Sequence, residues 1–261
     1  HLFPPPITYF MPIQIIPLRG MPIVQPGDDL VKLTLESLES MGMSPDDKDV
    51  YVYSHVIISR SEGKLVDLND VEPSRAARNF AEFTGKDPKV VEVVLSESRA
   101  IRRMAPGAII AETKQGFVCA NAGVDKSNVP GETIVAPLPD DADESATAIR
   151  KIIKERSGCD VGVIVCDTHG RAHRDGEINV TIGASGFEVI KDRRGEIDLF
   201  GYELKVKRTA VADELASAAE LVIGQSNEAV PAALIRGYDI ELSEESNASQ
   251  LVRPREKDLF I

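Results

Sequence analysis

Six consecutive residues, Val161-Gly162-Val163-Ile164-Val165-Cys166, carry no charged or amide side chain, and the chain turns polar at once with Asp167-Thr168-His169-Gly170-Arg171. A run this short and this rich in β-branched residues reads as a buried strand. The fold must therefore supply a sheet that buries it, and the polar residues that follow are delivered to that sheet's end, where folds tend to build sites. Further strands are expected between Met11 and Val24, over 50–58, over 178–182 and over 232–235, with a hairpin at 108–120 turning at Lys114-Gln115-Gly116. The 50–58 strand runs into the polar loop Ser59-Arg60-Ser61-Glu62-Gly63, and the first strand into the loop Leu18-Arg19-Gly20-Met21-Pro22.

Helices are expected after Asp28-Asp29, over 73–83 with Gly85 beyond the end, from Asp87-Pro88, over 146–156 with Gly158 beyond the end, and over 211–223. Strands and helices mix without a clean βαβ rhythm, so the fold class is α+β rather than a doubly wound sheet. Two prolines and several acidic residues make 137–145 the candidate junction between two lobes. Residues 1–10, with three consecutive prolines ahead of Met11, read as a leader or an appended segment, leaving 11–261 as the working unit.

The formal net charge of -12 opposes a nucleic-acid partner. Anionic small molecules remain admissible if bound cations or a few arginines invert the sign locally. No apolar run approaches the roughly 20 residues that cross a bilayer, so no membrane partner and a cytoplasmic location are expected. Cys119, Cys159 and Cys166 lack metal or disulfide spacing and read as small buried thiols.

Three polar segments close apolar elements: Asn121-Ala122-Gly123-Val124-Asp125-Lys126-Ser127-Asn128, Asp167-Thr168-His169-Gly170-Arg171, and Gly224-Gln225-Ser226-Asn227. Asp125 and Asp167 suit Mg²⁺ or Mn²⁺, Thr168 offers a further oxygen, and Arg171 and Arg174 can fork onto phosphate or carboxylate. Aspartate at such a position is equally a turn cap, and spacing alone leaves both roles open. His55 falls on an expected strand. His169 and His173 are four apart but separated by Gly170, and all three read as interior or loop histidines. There is no GxxxxGK[ST] loop and no GxGxxG after a strand. A phosphate cradle would have to come from loops such as 18–22 and 123–128.

Taken in order, Asn121-Ala122-Gly123-Val124-Asp125 with Ser127-Asn128, then Asp167-Thr168-His169-Gly170-Arg171, then Val211-Ala212-Asp213-Glu214-Leu215-Ala216 closely resemble the coenzyme F420:gamma-glutamyl ligase family. Ser59-Arg60-Ser61-Glu62-Gly63, Leu251-Val252-Arg253-Pro254 and Asp258-Leu259-Phe260 also look like it. The resemblance implies an intertwined homodimer of a two-lobed α+β fold. It implies a GDP-forming ligase that adds L-glutamate to a deazaflavin precursor through an acyl phosphate, using GTP, two divalent ions (Mn²⁺ or Mg²⁺) and K⁺.

Carried over residue by residue, the resemblance makes Asp125, Asp167, Thr168 and Gln225 metal positions. Arg19, Gly20, Met21, Pro22, His55, Arg60, Asn128, Ile223, Gly224, Gln225, Ser226 and Asn227 become nucleotide positions, and Arg60, Arg171 and Arg174 assist the reacting groups. Two departures stand out. Arg60 replaces a common lysine, a fork in place of a point charge. Gln225 replaces an acidic residue, an amide in place of a better cation ligand. A metal-dependent phosphohydrolase and a non-catalytic nucleotide-binding module are the alternatives.

Overall fold

In the computed structural model, which describes residues 12–258, the apolar run at 161–166 lies in the interior of a six-stranded mixed sheet. In chain order the strands are β1 (Gln14–Pro17), β2 (Val50–Ser54), β3 (Val66–Asp67), β4 (Ser98–Ala105), β5 (Ala108–Thr113), β6 (Val118–Ala120), β7 (Ile134–Val135), β8 (Gly162–Arg171), β9 (Arg174–Phe187), β10 (Lys191–Asp192), β11 (Arg208–Thr209), β12 (Ala232–Arg236) and β13 (Leu242–Ser243). The helices are α1 (Leu30–Ser40), α2 (His55–Ser61), α3 (Arg75–Thr84), α4 (Pro88–Ser96), α5 (Ala142–Ser157) and α6 (Val211–Ile223). The leader, the Met11 start and Leu259-Phe260 lie outside the described residues.

The main sheet runs β1-β12-β2-β8-β9-β13. Only β2 and β8 are parallel, in the register Val52↔Ile164, and the other neighbours are antiparallel. Side chains alternate across a strand. Tyr51, Tyr53, Val163 and Val165 therefore share one face and pack against α1 and α5 through Leu38, Ala146 and Ile153. Val50, Val52, Ile164 and Cys166 take the other face, under Ala212, Ala216 and Ala219 of α6. Helices on both faces explain why β2 and this part of β8 are apolar at nearly every position instead of alternating. A smaller sheet, β4-β5-β6, packs its own core on α3 and α4 through Ala77, Val91, Val94, Ile109 and Ala111. Its buried Glu112 is gripped by Arg99 and Arg102.

Local chemistry sets most helix ends. Asp29, Ser74, Asp87 and Asp141 each accept a backbone N–H of the first turn, while Gly85 and Gly158 close α3 and α5 in the left-handed region. Close packing needs Gly183 on β9, where a Cβ would stand 2.2 Å from the Ala142 carbonyl oxygen at the start of α5.

Three expectations are corrected, and one strand is new. The strand expected over 50–58 ends at Ser54, and the chain turns into α2 although His55-Val56-Ile57-Ile58 is a β-branched run. Burial of Ile57 and Ile58 in the main core outweighs their strand preference. Consequently His55 and Arg60 are helical. The strand expected to end at Cys166 continues to Arg171, because β9 extends beyond 178–182 and pairs with it as far as Arg174. The helix expected over 146–156 begins at Ala142, where Asp141 caps it. Strand β4 had no expectation at all.

Candidate functional site

The sheet opens beside Asp167. Parallel pairing of β2 with β8 stops at Ser54↔Cys166, where β2 gives way to α2, and the β8–β9 register shifts between Val165 and Cys166. Such a bulge re-aims the side chains that follow it. The result is a cavity of about 510 Å³ lined by the stretch after β1, the start of α2, the loop after β6, the middle of β8, Asn179 of β9 and the loop from α6 to β12. Residues from all three polar segments, 121–128, 167–171 and 224–227, reach this one space, and the cavity wall holds both Asp125 and Asp167.

Asp167 is nearly buried, with a histidine at each oxygen. His55 Nε2 lies 3.3 Å from Oδ1, and His169 Nε2 lies 3.0 Å from Oδ2. Burial alone would raise its pKa. The attraction of His55, the His169 hydrogen bond and the Thr168 N–H outweigh burial and hold the carboxyl below the usual range. For His169, burial opposes the charged form, but Asp167 and then Cys119 outweigh it and raise its pKa to about 10. His55 is 2% exposed, and neither of its ring nitrogens meets a hydrogen-bond partner of good geometry among the described residues. A buried, unsatisfied donor and acceptor on a cavity wall is suited to a ligand.

Next to Asp167 the side chains form a hydrogen-bonded chain. Thr168 Oγ1 stands 2.8 Å from Asn179 Oδ1 and 3.0 Å from Gln225 Oε1. Gln225 Nε2 donates to Glu220 Oε1 at 2.7 Å, and Glu220 Oε2 accepts the Asn179 N–H at 2.7 Å. Glu220 therefore fixes the amide nitrogen of Gln225 and turns its oxygen toward Thr168. One helical face of α6 serves the backbone N–H groups of β9 in this way: Asp213 Oδ1 accepts the Thr181 N–H at 2.9 Å, while its neighbour Glu214 points to solvent. Burial raises the Asp213 carboxyl.

The facing wall is loop. Asp125 accepts from Ser127 N at 2.7 Å and from Ser127 Oγ at 2.8 Å, a local turn of the kind aspartate favours. Arg60 Nη1 donates to the Asn128 carbonyl at 3.2 Å, and the buried Arg60 Nε has no partner among the described residues. Asn128 and Ala229, both on the cavity wall, hold positive φ of 52° and 55°. Left-handed backbone in non-glycine residues gathers at ligand-binding sites because it costs free energy elsewhere avoided.

Comparison with known proteins decides the family. The model described as F420-0:Gamma-glutamyl ligase matches residues 20–237. The coenzyme F420:L-glutamate ligase of Methanothermobacter thermautotrophicus is 45% identical over 251 residues, covering 96% of this chain and 99% of that protein. The chain belongs to the F420-0:gamma-glutamyl ligase family. Proteins of the same name from Methanopyrus kandleri (46% identical, covering 95% of this chain and 96% of that protein) and Archaeoglobus fulgidus (36%, covering 96% and 97%) are also similar to it.

In this F420-0:gamma-glutamyl ligase family member, Met21, Pro22, His55, Arg60, Asp125, Asn128, Asp167, Thr168 and the stretch 223–227 all reach the cavity wall. Arg19 and Gly20 precede the lining residues; the Arg19 carbonyl instead accepts Ser37 Oγ. Arg171 and Arg174 stand apart, at the far end of the β8–β9 hairpin, where Arg171 Nη2 donates to the Asp175 carbonyl at 3.0 Å. Asn179, Glu220 and the pair Cys119–His169 were not singled out from sequence. Asn179 carried a signal, a lone amide inside the apolar 178–182 segment. Cys119 carried none, since its neighbour His169 is 50 positions away.

Proposed function

We propose that this chain is a coenzyme F420-0:L-glutamate ligase, using GTP and divalent cations to join glutamate to a deazaflavin acid. The observation that carries the proposal is the meeting of Asp125, Asp167, Thr168 and Gln225 on the wall of one cavity, beside a buried histidine and an arginine with unsatisfied nitrogens. That donor set is all oxygen: two carboxylates, a hydroxyl and an amide carbonyl. It fits Mg²⁺ or Mn²⁺, which take oxygen and keep some waters. Asp125 and Asp167 would hold one ion, and Thr168 and Gln225 would contribute to the second. Bound cations would supply the positive charge that lets a triphosphate and two further anions gather on a chain of net charge -12. K⁺ joins the proposal from the family likeness.

The residues of the chain itself bind and orient. Arg60 offers its free Nε to a phosphate or carboxylate oxygen, and its forked group suits either. His55 presents a ring nitrogen to the nucleotide while its other contact, Asp167, holds the ring in place. The left-handed turns at Asn128 and Ala229 present the loop backbone to the same space. Chemically, a carboxylate oxygen of the deazaflavin precursor attacks the γ-phosphorus of GTP and GDP departs. The glutamate nitrogen then attacks the acyl phosphate, inorganic phosphate leaves, and the ammonium proton passes to solvent. Positioning the three reactants in line is the main service the cavity can render.

A homodimer is part of the proposal. The excursion between β10 and β11 exposes Leu199 at 98%, Phe200 at 96% and Val206 at 87%. Apolar residues bared together on one arm suit a second copy of the chain. In that assembly a partner's hairpin is the route by which Arg171 and Arg174 would assist.

Mass spectrometry of the deazaflavin precursor incubated with glutamate, GTP and Mn²⁺ tests the reading. The expected product is heavier by one or more glutamyl units. Phosphate released at the same rate without the precursor favours a phosphohydrolase, and nucleotide binding without turnover favours a binding module.

A further inference from the structure

We propose that Cys119, Asp167 and His169 form a separate thiophilic cation site that takes zinc, and that zinc there competes for Asp167 with the oxygen-bound cations. The competition rests on the ligase reading; the zinc site does not. Asp167 and His169 alternate along β8 and so share a face, and β6 lays Cys119 against it. One sulfur, one imidazole nitrogen and one carboxylate oxygen all lie within 4.8 Å of one another. Zinc bonds these donors at about 2.0 to 2.3 Å, which in a tetrahedron spaces the ligand atoms by about 3.5 Å. His169 Nε2 and Asp167 Oδ2, at 3.0 Å, are already that close, and the thiol lies within 4.8 Å of both residues' donor atoms.

Donor chemistry separates this cluster from the cavity. Mg²⁺ and Mn²⁺ favour oxygen and leave thiolate alone, whereas zinc accepts sulfur, nitrogen and oxygen together with one open position. Binding releases the thiol proton and the histidine ring proton to solvent and changes no oxidation state. Asp167 stands between the two sets, with Oδ1 toward His55 on the cavity side and Oδ2 toward His169 and the cluster. A cation that pulls Oδ2 toward Cys119 withdraws charge and freedom from Oδ1.

Cobalt(II) is the probe, because a thiolate bound to it gives a near-ultraviolet charge-transfer band. The full chain titrated with Co²⁺ should develop that band at one equivalent and lose it on adding Zn²⁺. Cys119→Ser and Cys119→Ala, checked for folding by circular dichroism, should lack it. Absence of the band in the unmodified chain overturns the site, as does an undiminished band in both variants. Competition is read by electron paramagnetic resonance of Mn²⁺ released from the GTP-loaded chain as Zn²⁺ is added. Cys119→Ser should need at least tenfold more Zn²⁺ for the same release, and equal release overturns the sharing of Asp167. A cobalt–thiolate band in a chain that binds no Mn²⁺ would retire the ligase reading and the competition while retaining the zinc site.

Discussion

The two walls of the cavity are built on different principles. The sheet wall, from Ser54 through Asp167 and Thr168 to Asn179, is fixed by strand pairing and by side chains that hold one another: His55 and His169 on Asp167, Asn179 and Gln225 on Thr168, Glu220 behind both. The loop wall holds itself by short-range turns, Asp125 with Ser127, and by the single reach of Arg60 to Asn128. A carboxylate on the first wall is therefore both a ligand candidate and a structural member, while one on the second is close to a ligand candidate alone. Two aspartates that look equivalent in sequence should behave differently when removed.

The sharpest way to break that contrast is to substitute both. Asp167→Asn should lower ligase turnover by about 10³-fold or more, as expected for loss of a charge that offsets phosphate. It should also lower the thermal transition, because His169 loses its counter-charge in a largely buried pair, at a cost of about 3 kcal/mol. Asp125→Asn should lower turnover by about 10²-fold while shifting stability by under about 1 kcal/mol, the worth of a local turn contact. Equal thermal transitions by calorimetry in the two variants would erase the distinction between the walls.

A smaller effect sharpens it. Thr168→Val keeps the shape and removes the hydroxyl that meets Asn179 and Gln225. Turnover should fall by about tenfold with a higher Mn²⁺ requirement, consistent with losing about 1.4 kcal/mol of positioning. Thr168→Ser should restore most of it. A Val variant with unaltered Mn²⁺ dependence would detach the hydroxyl from the cation sites.

Sequence reading succeeded where the decisive interactions are local. Val211–Ile223 was legible at both ends, since its small-residue repeat and Gly224 are contiguous. Asp29, Asp87, Gly85 and Gly158 announced their helix ends for the same reason. It failed where pairing across the chain decides. Strand β8 outlasts its apolar stretch because β9 accompanies it, and 55–58 becomes helix because the core claims Ile57 and Ile58. Of the cavity wall, the oxygen-bearing residues Asp125, Asp167 and Thr168 stood out by type. Their supports did not: Glu220 looks like one more acid on a helix, and Cys119 like one more buried thiol, until the fold brings Gln225 to the first and His169 to the second.

The smallest predicted effect isolates the back of the sheet wall from the cavity itself. His169 has its folded-state pKa raised to about 10, against 6.5 for the free side chain, so the folded chain holds a proton that the unfolded chain releases. Its stabilising contribution is then complete below about pH 6.5, shrinks as pH climbs from there, and is gone once pH passes about 10. Asp167 runs the opposite way: its lowered pKa contributes stability above its ordinary value near 3.8 that is lost only in acid. Between pH 6.5 and 10 the slope therefore belongs to His169. In metal-free protein, His169→Gln should melt lower than the unmodified chain at pH 6, by about 2 kcal/mol for a charge-assisted hydrogen bond. The gap should close as pH approaches 10. A gap that stays constant across that range would mean that His169 packs on the wall without holding a proton there.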